Sequence, residues 1–144
     1  MHKVAAIVML SVLSFNAQAV MSVKEGWIVV SNLIGGATSY ANSNSVIRSG
    51  NKVTMWDMLD FSKAQESGGA KIFSAKKHQE YDCIESKIRI IGFAMFSGNM
   101  GSGKVISSTS SYRAWLPREW VSVEDGSSDA ALMTFACGNK QANL

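Results

Sequence analysis

The sequence lacks a large excess of either charge, and it lacks an apolar run long enough to cross a bilayer. Its 144 residues include 14 Lys and Arg against 11 Asp and Glu. Without Lys3, which falls in a predicted leader, 13 basic residues face 11 acidic ones, a net charge of +2. This charge is too small to predict binding to nucleic acid or to an acidic membrane. The apolar run Val4–Leu13 is too short for a transmembrane segment, which needs about 20 residues.

Histidine is nearly absent, and this removes the usual centre of several catalytic sites. His78 is the single histidine beyond the predicted leader, so a Ser-His-Asp triad or a zinc site would have to use it. No GxSxG-type nucleophile motif accompanies it. Asp57 and Asp60 are candidate paired carboxylates for glycoside hydrolysis, but their odd spacing places them on opposite faces of a strand. We therefore predict no catalytic residue, metal ligand or cofactor, with a small hydrolase as the alternative.

Residues 98–104 have the glycine spacing of a phosphate-binding P-loop. That motif requires Ser or Thr after its lysine to hold magnesium, and a helix that starts at the phosphates. Here Val105 follows Lys104, and strand-forming residues come next. We predict a glycine-rich hairpin turn that binds no nucleotide.

The N-terminal residues have the pattern of a secretory signal peptide. Lys3 precedes the apolar run, and Ala17-Gln18-Ala19 forms a small-residue cleavage site. We predict a signal peptide at 1–19 and one domain at 20–144, exported to the periplasm or the cell surface. No cysteine lies near the cleavage site, so a lipid anchor there is excluded. The two cysteines of the chain, Cys83 and Cys137, are expected to form a disulfide in an exported protein.

The pattern of apolar residues predicts an α+β domain with a single antiparallel β-sheet of about six strands and one C-terminal α-helix. Polar residues 38–44 and 63–70 are predicted connections. Residues 76–80 are predicted to be either a solvated continuation of the strand at 71–74 or a turn. The helix is predicted to start at a Ser127 or Ser128 cap and to end at Gly138. The predicted strands cover 25–31, 53–61, 71–74, 88–96 and 103–112, the last ended by Trp115-Leu116-Pro117.

The strand at 88–96 carries apolar residues on both faces, which predicts a homodimer. Simple alternation gives one face to Ile88, Ile90, Gly92, Ala94 and Phe96, where the helix would dock against the two small residues. Ile91, Phe93 and Met95 would then point away from the helix. Because one short helix covers only one side of a sheet, a second copy is expected to cover the other.

Basic residues recur around the same strand and are the candidate partner-binding site. We predict that they recognise acidic segments of a protein partner or a sulfated polysaccharide, the alternative being a solvated face that keeps the sheet soluble. The candidate residues are Lys76, Lys77, Lys87 and Arg89, with Lys71 beside them.

Several segments together resemble the surface-adhesin protein E family of Gram-negative bacteria. The resemblance covers nearly all of the predicted mature chain. Two positions depart from the family pattern: Asn42 replaces an acidic residue, and Asp125 replaces a proline. The matching segments are Tyr40, SVIRSGN (45–51), VTMWDMLDF (53–61), EYDC (80–83), SGNMGSGK (97–104), Gly126-Ser127 and ACG (136–138).

The resemblance implies an antiparallel sheet packed on a C-terminal helix, with the two cysteines bonded. It also implies a non-catalytic protein that adheres to host extracellular-matrix or serum proteins of the vitronectin, laminin and plasminogen class. Because fold transfers between relatives better than function does, a second function stays open. In that alternative, the chain is a soluble periplasmic module or inhibitor that binds a bacterial partner.

Overall fold

The computed structural model describes residues 26–108 and 119–138. The predicted signal peptide at 1–19 and the predicted strand end at Trp115-Leu116-Pro117 lie outside the described residues. Among the helices that are described, none has the length and apolar character that crossing a membrane would require.

The described residues form eight β-strands in one antiparallel sheet, together with one α-helix. Neighbouring strands follow the order β1-β2-β4-β5-β6-β7, while β3 pairs with β4 and β8 pairs with β6. The predicted fold class is therefore confirmed. The elements are β1 (Trp27–Leu33), β2 (Ala37–Asn42), β3 (Ile47–Ser49), β4 (Lys52–Ser67), β5 (Ala70–Asp82), β6 (Lys87–Phe96), β7 (Val105–Ser108), β8 (Val121–Ser122) and α1 (Ser128–Cys137).

The hairpin formed by β4 and β5 is the longest part of the sheet. β4 lies between β2 and β5, so the prediction of an interior strand at 53–61 is correct. The predicted loop at 63–70 is wrong except for Gly68 and Gly69, which make a two-residue turn with positive φ values of 57° and 80°. Residues 76–80 continue the strand, which is one of the two predicted alternatives. Polar side chains hid the extension of β4, because a strand with one accessible face tolerates them.

The polar stretch 38–44 is mostly strand β2, and its prediction as a connection is wrong. Ser39 and Ala41 are fully buried on β2, where small side chains leave room for the helix. The strand ends at Asn42, whose side chain accepts a hydrogen bond from the Asn44 backbone N–H at 3.0 Å. Small residues at buried positions therefore concealed the alternation that usually marks a strand.

Helix α1 begins and ends as the sequence predicts. The Ser127 hydroxyl accepts a hydrogen bond from the Ala130 N–H at 3.1 Å, and Gly138 follows the last turn with φ 74°. The predicted disulfide is present: Cys83, just after β5, bonds to Cys137, the last residue of α1. The helix packs on β1, β2, β4 and β5. The core between the helix and the sheet contains Ala41, Val53, Met55, Tyr81, Ile88, Leu132 and Ala136.

A β-bulge at Ile91 interrupts the alternation of β6. Ile90 pairs with Gln79 and Gly92 with His78, so Ile91 is an extra residue between consecutive partners on β5. Directly paired residues share a face. Ile88 and Ile90 therefore lie on the side that α1 covers, which we call the helix face. Gly92, Ala94 and Phe96 lie on the other side, the open face.

This bulge corrects the predicted surface of β6. The single apolar face from Ile88 to Phe96 does not exist, and α1 does not dock on Gly92 and Ala94. Phe93 and Met95 share the helix face, and Ile91 is 37% exposed. The homodimer stays a prediction on a narrower basis, since fewer apolar side chains of β6 are left to be covered. The mass of the mature protein from light scattering tests it.

Candidate binding surface

The open face carries aromatic and basic side chains where the helix face carries an apolar core. The register places Trp56 beside His78 on neighbouring strands, and their rings stack with centroids 4.8 Å apart and planes 10° from parallel. Burial lowers the pKa of His78, so its ring is neutral at neutral pH. The histidine is thus part of an aromatic stack.

One cleft on this face has a volume of about 360 Å³. The Lys76 Nζ lies 5.5 Å from the ring centroid of Trp27 and 5.3 Å from that of Phe96. Because Trp27 is on β1 and Phe96 on β6, the sheet must curl around its open face for both rings to reach Lys76. We call this hollow the aromatic cleft. It is lined by Trp27, Asn42, Trp56, Lys76, Ala94 and Phe96.

The glycine-rich loop joins the antiparallel strands β6 and β7, as predicted, and folds back over the open face. The Met100 N–H donates to Asp60 Oδ1 at 2.6 Å, and the Gly101 N–H donates to Ser74 Oγ at 2.9 Å. The Asn99 side-chain amide donates to the Phe61 carbonyl at 2.8 Å. The GNMG sequence therefore fastens the loop to β4 and β5.

Gly101 holds the loop against Lys76. Its φ is 71°, and a Cβ built on it would overlap Cε of Lys76. The missing side chain lets the stem of Lys76 pass under the loop and reach the two rings. The segment that resembles a P-loop in sequence thus has a positioning role for a lysine on another strand.

A second cluster on the open face centres on Trp120. The Lys52 Nζ lies 4.9 Å from its ring centroid, and the Arg89 guanidinium carbon lies 4.6 Å from it. Both cations also have carboxylate partners. Lys52 pairs with Asp82 at 2.7 Å, and Arg89 pairs with Glu80 at 3.0 Å. We call Lys52, Arg89 and Trp120, with these two carboxylates, the Trp120 cluster.

Asp82 terminates β5 in a strongly polar setting. It accepts hydrogen bonds from the backbone N–H groups of Glu85 at 2.9 Å and Ile84 at 3.1 Å. The Glu85 N–H and the neighbouring Lys52 ammonium lower the pKa of Asp82 to about 2. Asp82 is therefore ionised over the whole physiological range.

The predicted basic residues are divided between the two faces. Lys76, Lys87 and Arg89 lie on the open face, and Lys87 is 3.9 Å from Glu85. Lys71 is exposed near the β4–β5 turn. Lys77 lies on the helix face, where its Nζ is 3.3 Å from Asp57 Oδ1 and 3.7 Å from Asp129 Oδ1. Three of the four candidates therefore share the open face, with Lys76 in the aromatic cleft and with Lys87 and Arg89 at the other end of β6.

Lys77 belongs to a buried polar group under α1. Asp57 is fully buried, and it accepts hydrogen bonds from Gln79 Nε2 at 2.6 Å and the Tyr81 hydroxyl at 3.3 Å. Burial raises the pKa of Asp57, although Lys77 opposes that shift. Asp60, which binds the glycine-rich loop, faces the opposite side, as the odd spacing predicts.

Sequence reasoning missed Lys52 and Trp120 as members of one cluster. They are 68 positions apart, and no local pattern links them. The sequence also does not indicate that Trp27 and Phe96 both contact Lys76, because these contacts depend on the curl of the sheet. Over residues 26–108 and 119–138, no three His, Cys, Asp or Glu side chains are arranged to hold a metal ion.

Comparisons with known proteins agree with this architecture. A family model described as surface-adhesin protein E matches residues 27–138. Two structures of Haemophilus influenzae protein E are each 12% identical to the chain. The structure of crystal form II aligns with a TM-score of 0.58, and the alignment covers 80% of this chain and 89% of the protein E chain. The structure of the protein from a non-typeable strain aligns with a TM-score of 0.55, and the alignment covers 81% of this chain and 78% of that protein's chain. At this identity they show the fold alone. No curated protein sequence matches the chain.

Proposed function

Because this chain belongs to the surface-adhesin protein E family, we propose that it is an exported, non-catalytic protein that binds another protein. The proposed partner class is host extracellular-matrix or serum proteins, of the vitronectin, laminin and plasminogen type that the family implies. Surface display after cleavage of a signal peptide at 1–19 is part of this proposal. The site we propose for it is the open face.

The Trp120 cluster is the observation that carries the proposal. Tryptophan and arginine contribute most binding energy at protein interfaces. Here the Arg89 guanidinium lies on the Trp120 ring while Glu80 binds it at 3.0 and 3.3 Å. These contacts fix the side chain before a partner arrives, so less conformational entropy is lost on binding.

Charge alone is not the proposed source of affinity. Lys52, Lys87 and Arg89 each have a carboxylate within 4 Å, which cancels most of their long-range field. Steering of an acidic partner is therefore weak, and the affinity should change only modestly with salt. Burial of the indole and the guanidinium would supply most of the binding energy.

Among the four basic candidates, we propose that Lys87 and Arg89 contact the partner, because Lys76 lies apart from them in the aromatic cleft. Lys77 is 20% exposed and paired with two carboxylates on the helix face. It would affect binding only through the stability of the fold. Exchanging all four residues together would therefore confuse lost binding with lost structure.

Surface plasmon resonance on immobilised vitronectin tests the proposal. Replacing Trp120 with Ala or Arg89 with Met should weaken binding by about tenfold or more, since each removes an interfacial anchor. Lys63→Met is the matched control, because Lys63 is exposed near the opposite end of β4, and it should bind normally. Equal affinity of all three variants would remove the Trp120 cluster from the site.

Capture experiments decide between the two possible locations of the partner. The mature protein is presented in parallel to host matrix proteins and to periplasmic extract. Selective capture of a host protein, together with protease accessibility on intact cells, supports the adhesin. Capture of a periplasmic protein alone, from cells whose copy is protected from protease, contradicts it and indicates an envelope module.

A further inference from the structure

We propose that the aromatic cleft is a binding site for an acidic sugar, a pyranose ring that carries a carboxylate. This carbohydrate site goes beyond the proposed binding of a protein partner and does not depend on it. The volume of about 360 Å³ falls in the range of roughly 300–1,000 Å³ found for small-molecule pockets.

The walls of the cleft suit the C–H faces of a sugar ring. Trp56 and Phe96 are half-buried and line the cleft, while Trp27 closes its back with 6% of its surface exposed. Aromatic faces carry negative electrostatic potential, which attracts the weakly positive C–H groups of a pyranose. The His78 ring stacked on Trp56 at 4.8 Å fixes the orientation of that indole.

Two polar side chains in the cleft match the polar atoms of an acidic sugar. The Lys76 ammonium lies at the rings of Trp27 and Phe96 and lines the cleft. A carboxylate of the ligand would form a charge-assisted hydrogen bond with it. Asn42 Oδ1 already accepts the Asn44 N–H, so its NH₂ group is the donor for a sugar hydroxyl.

The bulge in β6 makes room for the ligand. It turns Gly92 and Ala94 to the open face, where Gly92 pairs with His78 and Ala94 pairs with Lys76. Ala94 therefore lines the cleft beside the lysine with no more than a methyl group. A larger residue at 94 would fill the space while leaving Lys76 and the rings intact.

An acidic side chain of a protein partner fits this cleft less well. A single carboxylate would use Lys76 and leave the remaining aromatic surface against water. A sugar ring covers the aromatic surface and places its carboxylate and hydroxyls near Lys76 and Asn42. The mixture of three aromatic rings, one cation and one amide therefore favours the carbohydrate.

Tryptophan fluorescence titration with methyl β-D-glucuronide tests the inference, with methyl β-D-glucoside as the neutral comparison. The wild-type protein should show saturable quenching by the glucuronide, and the glucoside should bind at least about tenfold more weakly because it lacks the carboxylate. Lys76→Met and Ala94→Leu should each weaken glucuronide binding about tenfold or more. Lys63→Met is the control and should bind as the wild type does.

Three results would overturn the inference. They are the absence of a saturable response in the wild type, equal affinity for the two sugars, and unchanged affinity in folded Lys76→Met and Ala94→Leu variants. Equal or tighter binding of N-acetylglutamate amide would show a general carboxylate site instead. The comparison of the two sugars uses only wild-type protein, so it decides even if a variant fails to fold. The vitronectin experiment neither supports nor weakens it.

Discussion

The two faces of the sheet hold their charged groups in different settings. On the helix face, Asp57 is fully buried and Lys77 lies 3.3 Å from it under α1. On the open face, Lys52 and Arg89 lie on the ring of Trp120 with 40% and 33% of their side chains exposed, while their carboxylate partners Asp82 and Glu80 are largely covered. The same strands supply both arrangements, since successive residues point to opposite faces.

This difference assigns the two faces to different properties. Loss of one partner from a buried ion pair costs several kcal/mol, whereas an exposed pair contributes about 1 kcal/mol or less. Substitutions on the helix face should therefore change stability. Substitutions of the partly exposed cations Lys52 and Arg89 on the open face should change binding more than stability.

Removing the disulfide should give the largest loss of stability. The Cys83–Cys137 bond closes a loop with a sequence separation of 54, for which the chain-entropy model gives about 4 kcal/mol. The Cys83→Ser/Cys137→Ser double variant should lose this amount in urea unfolding. Wild-type protein denatured without reductant should show no free thiol. Two free thiols, or a loss below about 1 kcal/mol, would contradict the role of the bond in fixing α1.

Replacing Lys77 with Met should cost about 3 kcal/mol at neutral pH, because it leaves the buried Asp57 carboxylate without its cation. Burial already raises the pKa of Asp57, and loss of Lys77 raises it further. The deficit should therefore shrink as the pH is lowered and Asp57 takes up a proton. Urea unfolding at several pH values measures this.

Asp57→Asn is the control for that experiment. It keeps the side-chain volume and removes the titrating group, so a Lys77→Met/Asp57→Asn double variant should show no recovery at acid pH. A deficit in Lys77→Met that is constant across the pH range would mean that lost packing, and not the unpaired carboxylate, causes it.

Much of the fold was readable from the sequence, and the failures have physical causes. The helix, the disulfide and the long β6 strand were found because Ser127, Gly138 and the two cysteines are local signals. Strand β2 was missed because Ser39 and Ala41 are small and not visibly apolar, although both are buried. The Ile91 bulge was missed because an extra residue in one strand is defined by its partner strand.

The candidate site was predicted less completely than the fold. The basic residues near β6 were identified, and alternation along β5 puts Lys76 and Lys77 on opposite faces. Which of these two lysines shares a face with Arg89 depends on the pairing of β5 with β6, including the bulge, and a single sequence does not show that pairing. The contacts of Trp120 with Lys52 and of Trp27 with Lys76 depend on the curl of the whole sheet. Long-range contacts of this kind leave no periodic trace in a single sequence.

Gly101→Ala should have a smaller effect, and a matched glycine isolates its cause. Gly50 and Gly101 have φ values of 60° and 71°, but a Cβ at Gly50 meets nothing within 4 Å, whereas at Gly101 it overlaps Lys76. Gly50→Ala should cost about 1 kcal/mol from backbone strain alone. Gly101→Ala should cost a similar amount, because the flexible end of Lys76 can move aside, but it should weaken glucuronide binding, since Lys76 is then displaced from the rings. Equal glucuronide binding by the two variants would show that the glycine-rich loop does not position Lys76 in the aromatic cleft.

The smallest expected effect is on the acid stability conferred by Asp82, and its sign is opposite to that of Asp57. The folded-state pKa of Asp82 is about 2, below its ordinary value of 3.8. Its contribution to stability is therefore complete above about pH 4 and is lost as pH falls through about 2. Asp57, with a raised pKa, contributes most below its ordinary value and progressively less as pH rises through its folded-state pKa.

Lys52→Met should therefore shift the acid-unfolding midpoint slightly upward, because it removes one cause of the low pKa of Asp82. The shift should be small, since the Glu85 N–H bond at 2.9 Å remains and is the larger cause. Unfolding followed by tryptophan fluorescence between about pH 1 and 5 measures it, in the window that the low pKa sets. Lys63→Met is again the control. An unchanged midpoint in Lys52→Met, with the midpoint raised in Asp82→Asn, would assign the low pKa to the backbone N–H groups alone and reduce Lys52 to its contact with Trp120.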